Sequence, residues 1–322
     1  MGPLQKAGFE LLRRTGLGND SFGVCQDSVI VFSLRFTCAK ILTVNSLRCK
    51  DTHLPCYRDC DYIFREVIVV PARAGGTLIQ WSLGSQIRDE GEYEYSLQAG
   101  YAGVHDPDAW QTIQTAKDVC FFIDHQRRSP GVQNFTHYRL KLQTEETIFY
   151  SRTLHTFGKL NYANWRLYAA ILRAEGIRLS RREGTKGTLL KRKNSGIKCV
   201  RCIDFGTGEV KDGNCKCCYG IGWMGGYYQP VPCFYVNLNP SGSTIAYDVK
   251  MQGPVAETQV AGRAIASPLL TFGDLWVNGE SSERFRIQRI SHLAEVKGVP
   301  AIYKILMERL PFSDVAYSIS VE

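Results

Sequence analysis

Residues 199–222 read CVRCIDFGTGEVKDGNCKCCYGIG: two C-x-x-C pairs, Cys199/Cys202 and Cys215/Cys218, twelve residues apart. Two close pairs on tight turns can bring four thiolates into a tetrahedron around one metal ion, with metal–sulfur distances of about 2.3 Å. The flanking residues suit such turns. Asp204, Gly206, Thr207 and Gly208 follow the first pair, and Tyr219, Gly220, Ile221 and Gly222 follow the second. Glycine there frees the backbone to aim amide N–H groups at sulfur. The spacing predicts a zinc ribbon over residues 197–226, with Cys199, Cys202, Cys215 and Cys218 as ligands. Four thiolates leave no coordination position open, so the Zn2+ is expected to be structural. Cys217 could stand in for Cys215, but C-x-x-C spacing favours Cys215.

The ribbon sits in a chain of 322 residues with ordinary globular composition, long enough for two or three cored domains. Twelve cysteines are many for a sequence whose N-terminus, MGPLQKAGFELLRRTG, has no continuous apolar core of a secretory leader. Nor does any stretch approach the ~20 apolar residues of a membrane helix. Metal rather than disulfides is the expected use of clustered cysteines in a reducing compartment. A second cluster, Cys49, His53, Cys56 and Cys60, could hold another zinc, form a local disulfide or consist of small buried thiols. It lacks a paired knuckle.

Upstream of the ribbon, Asn161 to Arg182 (NYANWRLYAAILRAEGIRLSRR) spaces Trp165, Tyr168, Ala169 and Leu172 as one face of a helix, with Asn161 or Asn164 as N-cap. Gly176 costs about 1 kcal/mol inside a helix and suggests an early end. Net charge is +8, and a basic stripe runs from Arg173 to Arg201 through Arg178, Arg181, Arg182, Lys186, Lys191, Arg192, Lys193 and Lys198. Such a stripe is either a solvated surface or a phosphate-binding one.

Residues 61–155 alternate apolar and polar residues between turn signals: TLIQWSLG, EYEYSLQAG, VCFFID, HYRLKL and TIFYSR read as strands, with Trp81 and Trp110 in a core. Residues 227–322 return to short strands, PCFYVNL, ETQVAGRAIAS, DLWVNG, RFRIQRI, VPAIYKILMERL and VAYSISVE, suited to a small barrel or sandwich. The fold class expected is mainly β. Its modules are an N-terminal β-rich segment 1–60, a sandwich 61–155, a helix and basic linker 156–196, the ribbon 197–226 and a C-terminal β-module 227–322.

No catalytic motif is present: no G-x-S-x-G, P-loop, dinucleotide fingerprint or H-E-x-x-H. His53, His105, His125, His137, His155 and His292 are scattered, and Asp106/Asp108 read as a loop turn. A non-enzymatic protein without a small-molecule substrate is expected.

Three resemblances add to this. The strands of 61–155, with Trp81 early and the Tyr138-Arg139-Leu140 strand late, resemble a fibronectin type III or immunoglobulin-like sandwich. The run CKCCYGIG is similar to one knuckle of DnaJ-type chaperone zinc domains, which carry four. Residues 198–322 resemble structural proteins of tailed bacteriophages, above all those of the neck. The resemblance lies in Asp274, Trp276-Val277, Glu280–Glu283, Arg284–Ile287, Gly298 and Ile302–Leu310. It implies a virion component made in the host cytoplasm, joining portal to tail as a symmetric ring with copies of itself and other phage proteins. DNA could lie in the channel. Exposed strands at Phe234–Leu238 and VAYSISVE could add to neighbouring sheets. A baseplate or tail-tip position, or a zinc-ribbon nucleic-acid-binding protein, are the alternatives.

Overall fold

Two antiparallel sheets form the first module. One holds β1 (Phe64–Pro71), β2 (Thr77–Leu83) and β5 (Phe121–Asp124) in the order β1-β2-β5. The other holds β3 (Glu94–Gly100), β4 (Gln111–Lys117), β6 (His137–Gln143) and β7 (Ile148–Tyr150) in the order β4-β3-β6-β7, with β8 (Leu154–His155) also on β6. The sheets thus hold three and five strands, and they share one core. These elements come from a computed structural model that describes residues 63–84, 93–101, 109–125, 137–144, 147–204, 206–238 and 259–321. The chain divides into two units, Met1–His53 and Leu54–Glu322, and all described residues belong to the second. The expected strands of residues 1–60 and the Cys49/His53/Cys56/Cys60 cluster lie outside them.

The sandwich core is aromatic at its centre. Trp81 lies 5.1 Å from both Tyr95 and Phe122, ring centroid to ring centroid, so both sheets meet on one indole. The Tyr138 hydroxyl crosses between the sheets and donates to the Asp124 carboxylate at 2.8 Å, which satisfies a buried acid. Trp110 is buried as expected. It stacks with Tyr150 about the Arg139 guanidinium, at 4.3 and 4.5 Å from the two rings.

β2 is buried on both faces, which is why TLIQWSL reads as a nearly continuous buried run rather than an alternating one. Its outer side meets a second core. There Val70, Leu78, Tyr168, Leu172, Leu179 and Ile302 join the sandwich, the helix and the C-terminal module. The helix α1 (Tyr162–Arg178) is capped by Asn161, whose side-chain oxygen accepts from Asn164 N–H at 2.8 Å. It passes through Gly176 and continues as a π turn over Leu179–Glu183. Burial of Tyr168, Leu172 and Glu175 against the two β modules outweighs the glycine's propensity cost.

The C-terminal module is a closed antiparallel barrel in the order β10-β11-β14-β13-β12-β9. Its strands are β9 (Thr185–Leu190), β10 (Val231–Leu238), β11 (Gln259–Ile265), β12 (Leu275–Asn278), β13 (Arg284–Val296) and β14 (Val299–Arg309). Trp276 fills the interior beside Phe285, at 5.5 Å between ring centroids, and its indole N–H donates to the Phe234 carbonyl at 3.2 Å. The longest pair, β13–β14, turns at Lys297 and Gly298, both at positive φ, between the paired Val296 and Val299. Two left-handed residues match the strand twist of such a tight hairpin.

Closure corrects three sequence expectations. Thr185–Leu190, inside the expected linker 156–196, supplies the barrel strand lying between β12 and β10. Phe234–Leu238 is not a free edge, because β10 pairs with β9 on one side and β11 on the other. VAYSISVE is not a strand: Val315–Ser318 is a 3-10 turn capped by Asp314, whose carboxylate accepts from Ala316 N–H at 2.8 Å. The Arg284 guanidinium donates to the carbonyls of Ala316 and Ile319 and ties that turn to the barrel.

Candidate metal centre

The connection from β9 to β10, residues 191–230, is the ribbon. Paired positions Arg192–Tyr227 and Lys198–Trp223 form its stalk, and Ile203–Val210 forms a hairpin between the two cysteine pairs. Each C-x-x-C closes a turn. Ile203 N–H donates to the Cys199 carbonyl at 3.1 Å, and Tyr219 N–H to the Cys215 carbonyl at 2.7 Å. Two Asx turns shape the hairpin: Asp204 accepts from Gly206 N–H at 2.9 Å and Asp212 from Asn214 N–H at 2.8 Å. Gly220 lies at φ +74°, and a Cβ there would stand 2.4 Å from the Gly213 carbonyl oxygen. Only glycine lets the second knuckle press this closely on the hairpin.

Among the described residues from 199 to 218, the buried ones are Cys199, Cys202, Cys215 and Cys218, and no others. The module's interior therefore consists of four sulfur atoms. These lie within 4.8 Å of one another, with Cys199–Cys215 at 3.7 Å and Cys202–Cys218 at 3.0 Å. Both separations exceed the ~2.05 Å of a disulfide. A tetrahedron with ~2.3 Å metal–sulfur bonds has edges of about 3.8 Å, and the cluster is close to that size. The arrangement is a plausible zinc site.

Backbone amides set the character of the sulfurs. Cys217 N–H donates to the Cys215 sulfur and brings that thiol down to about 7, where it ionises readily. Burial pushes Cys202 and Cys218 up, and for Cys218 the Gly222 amide opposes that shift. The glycine-rich turns thus do present N–H groups to sulfur. Cys217 is only half-buried and offers its amide rather than its thiol, so Cys215 occupies the fourth corner.

The basic stripe does not form one face. Lys191 is buried on Asp274, Lys193 pairs with Asp118 at 2.8 Å, and Arg178 lies 3.2 Å from Glu175. Arg173, Arg181, Arg182 and Lys186 are exposed on the helix, its π turn and β9, while Lys198 and Arg201 are exposed on the ribbon. The Lys191–Asp274 pair went unseen in sequence. Its only signal there was a lysine ending the apolar run of β9 and an aspartate opening β12. Of the other flagged residues, His137 and His155 are cross-strand partners with rings 5.3 Å apart, and Asp106/Asp108 lie outside the described residues.

No family model, curated protein or solved structure matches the chain. Architecture alone defines its class: two antiparallel sheets joined by one helix to a six-stranded barrel, with a four-cysteine ribbon inserted in the barrel.

Proposed function

We propose that this protein is a non-enzymatic structural subunit of a tailed-bacteriophage particle. It sits at the neck between portal and tail in a symmetric ring, and holds one structural zinc ion on Cys199, Cys202, Cys215 and Cys218. The observation that carries the proposal is that the positions of the phage-like C-terminal pattern each have a structural task. Asp274 anchors a buried ion pair, Trp276 and Ile287 line the barrel, Arg284 ties the C-terminal turn, and Gly298 makes the β13–β14 hairpin. Rigid modules with fixed relative placement suit a part whose interfaces are repeated by symmetry. Phe272, Leu293 and Phe312 are exposed on the barrel module, where one of the two complementary ring surfaces is expected.

Electron microscopy of purified protein and of particles tests this. Rings or particle-bound copies are expected, and particles lacking the protein should show heads and tails that fail to join. A chain that stays monomeric at high concentration and is missing from particles would refute it. A nucleic-acid-binding role is favoured by one observation: Lys198, Arg201, Lys211 and Lys216 are exposed on the ribbon. Steep salt dependence of DNA or RNA binding by the isolated protein would support that role instead.

A further inference from the structure

A crevice of about 630 Å³ lies between the sandwich and the barrel, within the range of small-molecule sites, which favour domain junctions. Its walls come from β1 and β2, from residues 152–159 and from the barrel's near end. Three cations line it, Arg152, Lys159 and Arg192, and none has a side-chain partner among the described residues. Lys191 also reaches the crevice, but its charge is already met by Asp274 behind it. Glu66 is the one lining carboxylate. Tyr228, Leu269, Leu270 and Tyr303 provide an aromatic and apolar floor. The wall carrying Arg152 and Lys159 is held in place: Gly158, at φ +57°, lies so close to β1 that a Cβ would stand 2.4 Å from the Val69 carbonyl oxygen.

We propose that this crevice binds a nucleoside polyphosphate, phosphates toward Arg152, Lys159 and Arg192 and the base toward the aromatic floor. Arg152 and Lys159 are exposed at the crevice and Arg192 is half-buried, and three cations bordering one crevice favour a ligand with several negative charges close together. A polyphosphate supplies them, and an arginine fork matches phosphate oxygens in paired hydrogen bonds. An acidic peptide spreads its charges one per side chain. Nothing here depends on the particle assignment: loss of nucleotide binding would refute the crevice alone, and absence from particles the proposed function alone.

Isothermal titration of the full-length protein with ATP, pyrophosphate and adenosine is the test. ATP should bind, pyrophosphate more weakly, and adenosine not measurably. Arg192→Ala and the double variant Arg152→Ala/Lys159→Ala should each weaken ATP at least ~tenfold, as expected for lost charge-assisted hydrogen bonds. Glu66→Gln removes the opposing charge and should tighten ATP about threefold, a gain that a folding defect cannot imitate. The proposal is overturned if millimolar ATP does not bind, or if binding ignores all three changes. It is equally overturned if an acidic peptide or a DNA strand binds in a variant-sensitive way and ATP does not.

Discussion

Gln80 uses both ends of its side-chain amide on one residue of the barrel module. Its Nε2 donates to the Leu269 carbonyl at 3.0 Å, and Leu269 N–H donates back to Oε1 at 2.8 Å. The pair imitates a β-bridge between a sandwich strand and a barrel loop. Gln80→Ala leaves the buried Leu269 N–H unpaired, at about 1–3 kcal/mol, while the Leu269 carbonyl keeps the Lys191 ammonium at 2.7 Å. Sandwich and barrel are expected to melt in separate steps in this variant, where the native protein shows one. Calorimetry reads the difference directly.

Metal content is the plainest check on the ribbon. Natively prepared protein should carry about one zinc per chain, by the four-thiolate stoichiometry. Cys199→Ser or Cys218→Ser should release it and raise hydrogen exchange across residues 197–223. Cys217→Ser should leave the metal in place. Acidification should also release it, since the ligands bind as thiolates. Native protein without metal would overturn the assignment.

Thiol labelling separates the remaining described cysteines. Cys233 is exposed and should react first. Burial raises the Cys120 thiol from its ordinary value of 9.0 to about 12, so it should stay unreactive until the sandwich unfolds. As pH rises, an exposed thiol in the unfolded chain ionises before the buried one. The stability linked to Cys120 is thus present below pH 9.0 and lost as pH approaches about 12.

Trp81→Ala removes the indole on which both sheets meet. A core aromatic of this size is worth about 3–5 kcal/mol. The sandwich should lose its cooperative transition while the ribbon keeps its zinc, as metal analysis of the variant will show.

Lys191 and Asp274 share a buried site in which the carboxylate also accepts from Arg192 N–H at 2.9 Å and Thr271 N–H at 2.7 Å. Asp274→Ala strands a buried ammonium and should destabilise by about 3–5 kcal/mol. The double change Lys191→Met/Asp274→Ala should recover part of that loss. Denaturant melts of the single and double variants measure it, and equal losses would argue against a coupled pair.

The four cysteines were legible because their message is local: short spacing, turn residues and a shared metal geometry. Apolar patterning with turn punctuation likewise marked β2, β3, β5, β6 and β7, but not β1, nor β4, whose QTIQTAK is polar and mostly exposed. Barrel membership of β9 was hidden because its partner β10 lies across the whole ribbon, and no local pattern records a pairing at that distance. The C-terminal VAYSISVE alternates like a strand, but Arg284 captures its carbonyls and curls it. The basic stripe misled because a run of charge along the chain says nothing about which members turn inward. Lys191 did so, and Arg192 joined Arg152 and Lys159 from another segment at the crevice.

The ribbon's position between two neighbouring strands bears on how the barrel forms. β9 cannot meet β10 until the ends of residues 191–230 come together, and a long loop makes that encounter entropically slow. A metal clasp that draws Cys199 and Cys218 together shortens the effective loop before the strands pair. Zinc supply during synthesis is then expected to govern how fast the barrel closes, and newly made chains starved of metal should linger with β9 unzipped.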